Sequence, residues 1–135
     1  NQPAIGKGLC TEKEVQEIHK HLEKLLLEKG GKIEKIYYCP HHPKDARVEI
    51  YKKECDCRKP KPGMILQAQK DFKIKTLKDT FLIGDKIGDI KAGNLAGCKT
   101  ILVETGYGGK ERWNDATPQF RAQDLYTAVK EIVLK

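Results

Sequence analysis

An α/β fold on a mostly parallel sheet is predicted by three features of this sequence. Two short apolar runs, "DTFLIGD" from Asp79 to Asp85 and "KTILVETG" from Lys99, read as buried strands. A helical stretch, "IGDIKAGNLAG", lies between them and closes at Gly97. The second run opens into the glycine-rich "TGYGG", and the tail ends in a helix from about Leu125. Strands alternating with helices give βα units, and βα units give parallel sheets.

The remaining elements follow in chain order. Thr11-Glu12-Lys13-Glu14 matches a capping box, with Thr11 as N-cap and Glu14 reaching back. Val15, Ile18, Leu22, Leu25 and Leu26 recur at helical spacing until Gly30-Gly31 stop the helix. "KIEKIYYC" alternates and carries Ile33, Ile36 and Tyr38, which predicts a strand. From Cys39 to Lys61 no periodicity appears, only Pro, His, Cys and charge. A loop of that length inside a compact domain needs a reason, and a bound ion supplies one. "KPGMILQAQKDF" then predicts a helix opened by Pro62. In the tail helix, Leu125, Val129 and Ile132 share one face.

Composition narrows the function classes. A chain of 135 residues has room for one domain, 1–135, and no internal repeat is visible. With 39% apolar and 33% charged residues it reads as an ordinary globular protein. No apolar run approaches the roughly 18 residues that span a bilayer, and no signal peptide is recognised. The net charge of +7 favours anionic partners, but Lys and Arg are scattered rather than gathered into one block. That charge suits phosphorylated small molecules, nucleic acid and acidic lipid alike, and the scatter makes nucleic acid the less expected of them; no nucleic acid, no membrane, a monomeric state and a cytoplasmic location are the expectation. The chain begins Asn1-Gln2-Pro3, without an initiator Met, and is expected to be the C-terminal part of a longer protein.

Five cysteines divide unevenly. Cys39, Cys55 and Cys57 cluster in the aperiodic loop with His41, while Cys10 and Cys98 carry no assignable role. The odd count and the Cys-x-Cys pair argue against a disulfide framework and for reduced thiols. Cys39-x-His41 and Cys55-x-Cys57 together offer three thiols and one imidazole, the donor set of a closed structural zinc site. Thirteen residues separate the two halves, so the ion would close a loop that has no core of its own. His42 is the competing imidazole; His41 is preferred because its spacing mirrors that of Cys55 and Cys57.

A second constellation surrounds "LIGDKIGDI". Asp85 stands at the C-terminal end of a strand, where open α/β sheets bind ligands, and Asp89 lies one turn into the following helix. Two readings fit: carboxylates that hold Mg²⁺ beside phosphate, or helix-start residues that complement the dipole. "CRKPKPG" puts Arg58 and Lys59 directly after the last thiol. Arg grips phosphate through two parallel bonds and Lys acts as a point charge. The plain alternative is a solvated basic loop, but an ion at Cys57 would fix both positions.

"NQPAIGKG", "YYCPHHP", "CDCRKPKPGM" and "IGDKIGDI", in this order, resemble the haloacid-dehalogenase-like phosphatases along essentially the whole chain. Within them the likeness is to the heptose bisphosphate branch, with the histidinol phosphatases as near relatives; the thirteen-residue gap favours the former. The resemblance implies a Rossmann-like, three-layer, capless domain with a zinc loop at 39–61. It implies a Mg²⁺-dependent phosphoric monoester hydrolase acting on a sugar phosphate through an aspartyl-phosphate, in the supply of lipopolysaccharide precursors. By the same resemblance Lys59 and Asn1 are catalytic, contacting the transferring phosphoryl group. Arg58, Lys86, Asn1 and Gln2 bind substrate. Asp85 is the magnesium ligand with Asp89 in support, and Cys39, His41, Cys55 and Cys57 bind structural zinc. The family's first motif, Asp-x-Asp-x-Thr, is not found in this sequence. Family order places it, and the first strands of the sheet, before Asn1, so the 135 residues alone are expected to be inactive and to fold poorly. The rival of another class is a zinc-stabilised module that binds nucleic acid, set apart by salt-dependent retention on DNA or RNA.

Overall fold

The structure, a computed structural model, describes residues 1–111 and 115–135. The chain forms two compact units, Asn1–Cys55 and Asp56–Lys135.

In the first unit, α1 (Pro3–Gly6) begins with Pro3 in its first turn, where a missing N–H costs nothing. α2 (Glu12–Glu28) follows with the expected capping box. The Glu14 N–H donates to Thr11 Oγ1 at 3.2 Å, and the Thr11 N–H donates to Glu14 Oε2 at 2.7 Å. Gly30, at φ +75°, ends the helix in the left-handed region that a glycine enters without strain. Val15 is buried, whereas Ile18, Leu22 and Leu25 on the same stripe are exposed.

The strand expected across "KIEKIYYC" is not formed: Lys32–Cys39 carries no strand pairing among the described residues. Alternation sets which side chains share a face, but a strand exists only where a neighbour accepts its ladder of hydrogen bonds. Here the side chains serve α2 instead. Tyr38 Oη donates to Glu12 Oε1 at 3.3 Å, and the Tyr38 ring lies 5.4 Å from that of His19.

The aperiodic loop is ordered through α1. The Gly6 N–H donates to Pro40 O at 3.2 Å, and Gly6 O accepts from the Arg47 and Val48 N–H groups at 2.8 and 3.0 Å. A Cβ at Gly6 would lie 2.6 Å from Pro40 O. That obstacle is backbone and cannot rotate away. Gly6→Ala is therefore expected to destabilise the fold by about 1–3 kcal/mol, as overpacking does, measurable as a lower denaturant midpoint at unchanged slope.

The second unit holds the sheet. β1 (Phe81–Gly84), β2 (Lys99–Val103) and β3 (Phe120–Ala122) are all parallel, in the order β1-β2-β3. α3 (Gly63–Asp71) precedes β1, and its first turn hangs on Pro62 O, which accepts from Ile65 and Leu66. α4 (Ile87–Ala96) connects β1 to β2 and ends at Gly97, φ +83°. Successive β2 residues face opposite ways, as pleating demands. Leu102 joins Ile87 and Ile90 of α4 in one apolar cluster. Ile101 and Val103 join Ala122 and Ala128 in the other. Helices on both faces of a parallel sheet make three layers.

β3 was not visible in the sequence: it has three residues, of which only Ala122 is buried. The tail also departs from expectation. α5 (Leu125–Ala128), capped by Asp124 Oδ1 accepting from the Thr127 N–H at 2.7 Å, runs into a π-helical stretch, Val129–Val133. The wider turn rotates the packed face. Ala128, Ile132 and Val133 meet the core, while Leu125 is 60% exposed. The shared face of Leu125, Val129 and Ile132 rested on a uniform 3.6-residue period. Among the described residues no helix is long and apolar enough to cross a membrane.

Candidate functional site

Cys39, His41, Cys55 and Cys57 each bring a ligand atom to within 4.8 Å of the other three. Cys39 Sγ lies 3.6 Å from His41 Nδ1 and 3.5 Å from Cys55 Sγ. Zinc–sulfur bonds of about 2.3 Å in a tetrahedron put neighbouring sulfurs about 3.8 Å apart, so the donors sit near the edges of a zinc site. None of the five cysteines is in a disulfide, and Cys39 is fully buried. The donor set therefore fits a closed zinc site.

Local chain geometry explains the convergence. The Gln2 N–H donates to Cys39 O at 2.8 Å, which holds the first half-site on α1. Cys55 and Cys57, two residues apart, both bring their sulfurs into the set. His42 is excluded as a ligand: its Nδ1 accepts from the Asp45 N–H at 2.9 Å and its Nε2 faces Asp45 Oδ2 at 3.5 Å. Burial, then the Lys53 charge, pull His41 below the ordinary imidazole value of 6.5, against a smaller opposing pull from Glu12. Its neutral form, the one that binds metal, is thereby favoured.

The second constellation forms within the second unit, at the C-terminal end of β1. Lys59 Nζ reaches Asp89 Oδ1 at 2.5 Å, a pair largely shielded from solvent. Asp89 Oδ2 accepts from the Lys86 N–H at 3.1 Å, so one carboxylate caps α4 and orients Lys59 at once. Asp89 is thus a helix-start residue, as the plainer of the two readings expects, and is in addition the ion-pair partner of Lys59.

Asp85 is held by the loop after β2. The Tyr107 N–H donates to Asp85 Oδ2 at 2.9 Å and the Gly109 N–H to Asp85 O at 2.8 Å. Among the described residues Oδ1 accepts no hydrogen bond, leaving a carboxylate oxygen of the kind Mg²⁺ takes. Lys86 Nζ lies over the Tyr107 ring, 3.9 Å from its centre. Arg58 is half-buried in the same unit, and Asn1 and Gln2 are exposed in the first. Sequence reasoning missed Tyr107 and Glu111, whose Oε2 accepts from the Ile87 N–H at 2.5 Å. The glycine-rich "TGYGG" was a signal for the first of these; nothing in the sequence pointed to the second.

A family model described as HAD-hydrolase-like matches residues 56–128. The chain is 45% identical over 107 residues to a D-glycero-beta-D-manno-heptose-1,7-bisphosphate 7-phosphatase of Photorhabdus laumondii, covering 78% of this chain and 56% of that protein. It is 36% identical over 140 residues to the D-glycero-D-manno-heptose-1,7-bisphosphate 7-phosphatase of Chlorobaculum tepidum, covering 99% and 70%. The chain thus spans 56% and 70% of the length of these two relatives. The crystal structure of the D,D-heptose 1,7-bisphosphate phosphatase from B. bronchiseptica, complexed with magnesium and phosphate, superposes with a TM-score of 0.82 at 28% identity, covering 99% of this chain and 71% of that one.

Proposed function

The chain belongs to the haloacid-dehalogenase-like hydrolases, among the D-glycero-D-manno-heptose-1,7-bisphosphate 7-phosphatases, and on that premise we propose that the whole protein removes the C7 phosphate of this sugar bisphosphate. The observation that carries the reading is the Lys59–Asp89 pair set beside Asp85 at the end of a parallel strand. A cation and a carboxylate with a free oxygen at that place suit a phosphoryl group and its counter-ion.

The proposal concerns a polypeptide that carries the family's Asp-x-Asp-x-Thr motif. A carboxylate oxygen of that motif attacks phosphorus, the bond from phosphorus to the C7 oxygen breaks, and the sugar leaves as its alcohol after taking a proton. Water then attacks the acyl-phosphate and frees inorganic phosphate. Lys59, steadied by Asp89, faces the equatorial oxygens and offsets their negative charge as it redistributes. Arg58 and Lys86 bind the substrate's phosphate, with the polar side chains of Asn1 and Gln2 on the transferring group. Asp85 would hold magnesium, which supplies neutralisation of the charge shared between carboxylate and phosphate. Cys39, His41, Cys55 and Cys57 would hold zinc and fix Arg58 and Lys59, which follow Cys57 directly. Residues 1–135 are read as part of one such domain, with 39–61 as its zinc loop.

Phosphate release is the test, with the full-length protein, Mg²⁺ and both anomers of the heptose bisphosphate, against histidinol phosphate. Turnover of the heptose substrate well above histidinol phosphate is expected. Faster release from histidinol phosphate, or none from either heptose anomer, overturns the assignment.

A further inference from the structure

We propose that Tyr107 is a positioning residue that sets Asp85 with its backbone N–H and Lys86 with its ring. The inference rests on the phosphatase reading for its purpose, but not for its geometry. The Tyr107 N–H donates to Asp85 Oδ2 at 2.9 Å, and the face of its ring lies 3.9 Å from Lys86 Nζ. One residue thus engages two consecutive residues at the end of β1 by two different chemistries.

The backbone half depends on the loop's shape. Gly106 has φ +71°, and a Cβ there would lie 2.4 Å from Asp85 Oδ2. The loop therefore lies directly against the carboxylate, with the Tyr107 N–H taking one oxygen and not the other. An oxygen tied by a neutral donor cannot swing between two positions, so the free oxygen has a defined direction in which to meet a cation.

The ring half concerns Lys86. A lysine side chain has many rotamers, and fixing it for an anion costs entropy. The negative face of an aromatic ring narrows that range while leaving the ammonium its remaining donors. Tyr107 is 56% exposed, so it is not a core residue whose ring happens to touch a lysine. An exposed ring under a cation, next to a metal-type carboxylate, is placed for substrate rather than for packing.

The test uses the full-length protein and measures binding, with Mn²⁺ alone as one probe and inorganic phosphate at saturating Mn²⁺ as the other. Tyr107→Leu keeps the N–H and removes the ring. It is expected to leave Mn²⁺ affinity at the parent value and to weaken phosphate about threefold, the size of an exposed cation–π contact. Tyr107→Phe is expected to recover the loss, and in a Lys86→Met background Tyr107→Leu is expected to add nothing. Gly106→Ala is expected to weaken Mn²⁺ itself by about tenfold, as loss of a metal ligand's partner does; thermal melting checks that this variant folds. Phosphate affinity unchanged in Tyr107→Leu, lost equally in Tyr107→Phe, or still lowered without Lys86, overturns the ring's role. Parent-like Mn²⁺ affinity in folded Gly106→Ala overturns the backbone's role. None of these readings needs turnover, so they stand or fall apart from the assignment of the sugar substrate.

Discussion

Asp85→Ala in the full-length protein is expected to lower magnesium-dependent phosphate release by about a thousandfold, with little change in thermal stability. The argument has two parts. Asp85 lies at the C-terminal end of β1, half-buried, and its carboxylate is tied by one neutral donor, the Tyr107 N–H. Removing it leaves one N–H beside solvent, a small loss for the fold. Its chemical loss is larger, because a carboxylate in this place would hold the cation that neutralises phosphate charge, an effect of several kcal/mol on the barrier. A thousandfold corresponds to about 4 kcal/mol. Lys59→Ala is expected to fall in the same direction, since the role proposed for Lys59, paired with Asp89, is to offset phosphate charge. The decisive measurement is kcat across a magnesium titration. A variant that recovers parent turnover at any magnesium concentration merely binds the ion less tightly; one that matches the parent throughout shows that Asp85 is no ligand.

What could be read in the sequence was whatever local chemistry enforces. The Thr11–Glu14 capping box, the strands ending in Gly84 and Val103 and the stop at Gly97 each depend on neighbours within a few residues, and each formed. The Cys39, His41, Cys55 and Cys57 cluster was legible for a related reason: thiols and imidazole at tight spacing have few other uses. The misses share the opposite property. The strand expected across Ile33, Ile36 and Tyr38 needed a pairing edge, which alternation cannot supply. β3 is fixed by β2 beside it, with little apolar pattern of its own. The tail's packed face follows a π-helical turn whose cause lies in tertiary fit, not in its residues' period. The hold of Tyr107 on Asp85 spans 22 residues of sequence and runs through a backbone donor, which no side-chain identity announces.

Removing the metal from the Cys39, His41, Cys55 and Cys57 cluster is expected to unfold the segment between its two halves and silence the protein. That segment has almost no core. Between Cys39 and Cys57 only Cys39 itself, Pro40 and Ala46 are buried, and a 3-10 turn at Glu49–Tyr51 is its single regular element. Hydrophobic burial is therefore too small to offset the chain entropy of ordering it. A four-donor zinc site contributes folding free energy of order 10 kcal/mol in small metal-folded domains, far above any surface interaction available here. Cys39→Ser places a poorer ligand at the most buried donor. Zinc content is expected to fall well below one per chain, and trypsin is expected to cut at Lys44, Arg47, Lys52 or Lys53. Phosphate release should fall with it, because Arg58 and Lys59 follow Cys57 directly and lose their anchor. Acid should act in the same way. The His41 value is depressed, so the stability its neutral ring contributes is complete above the ordinary value of 6.5 and is lost as the pH falls through the depressed one. Protons then compete with zinc at all four donors. Zinc release followed with a chromogenic chelator between pH 7 and 4 is expected to precede loss of the sheet's circular dichroism, since β1, β2 and β3 draw on a separate apolar core. Full turnover and an uncut segment in zinc-free protein would show that this loop is ordered by its backbone bonds, those of Gly6 and Gln2 among them, without the ion.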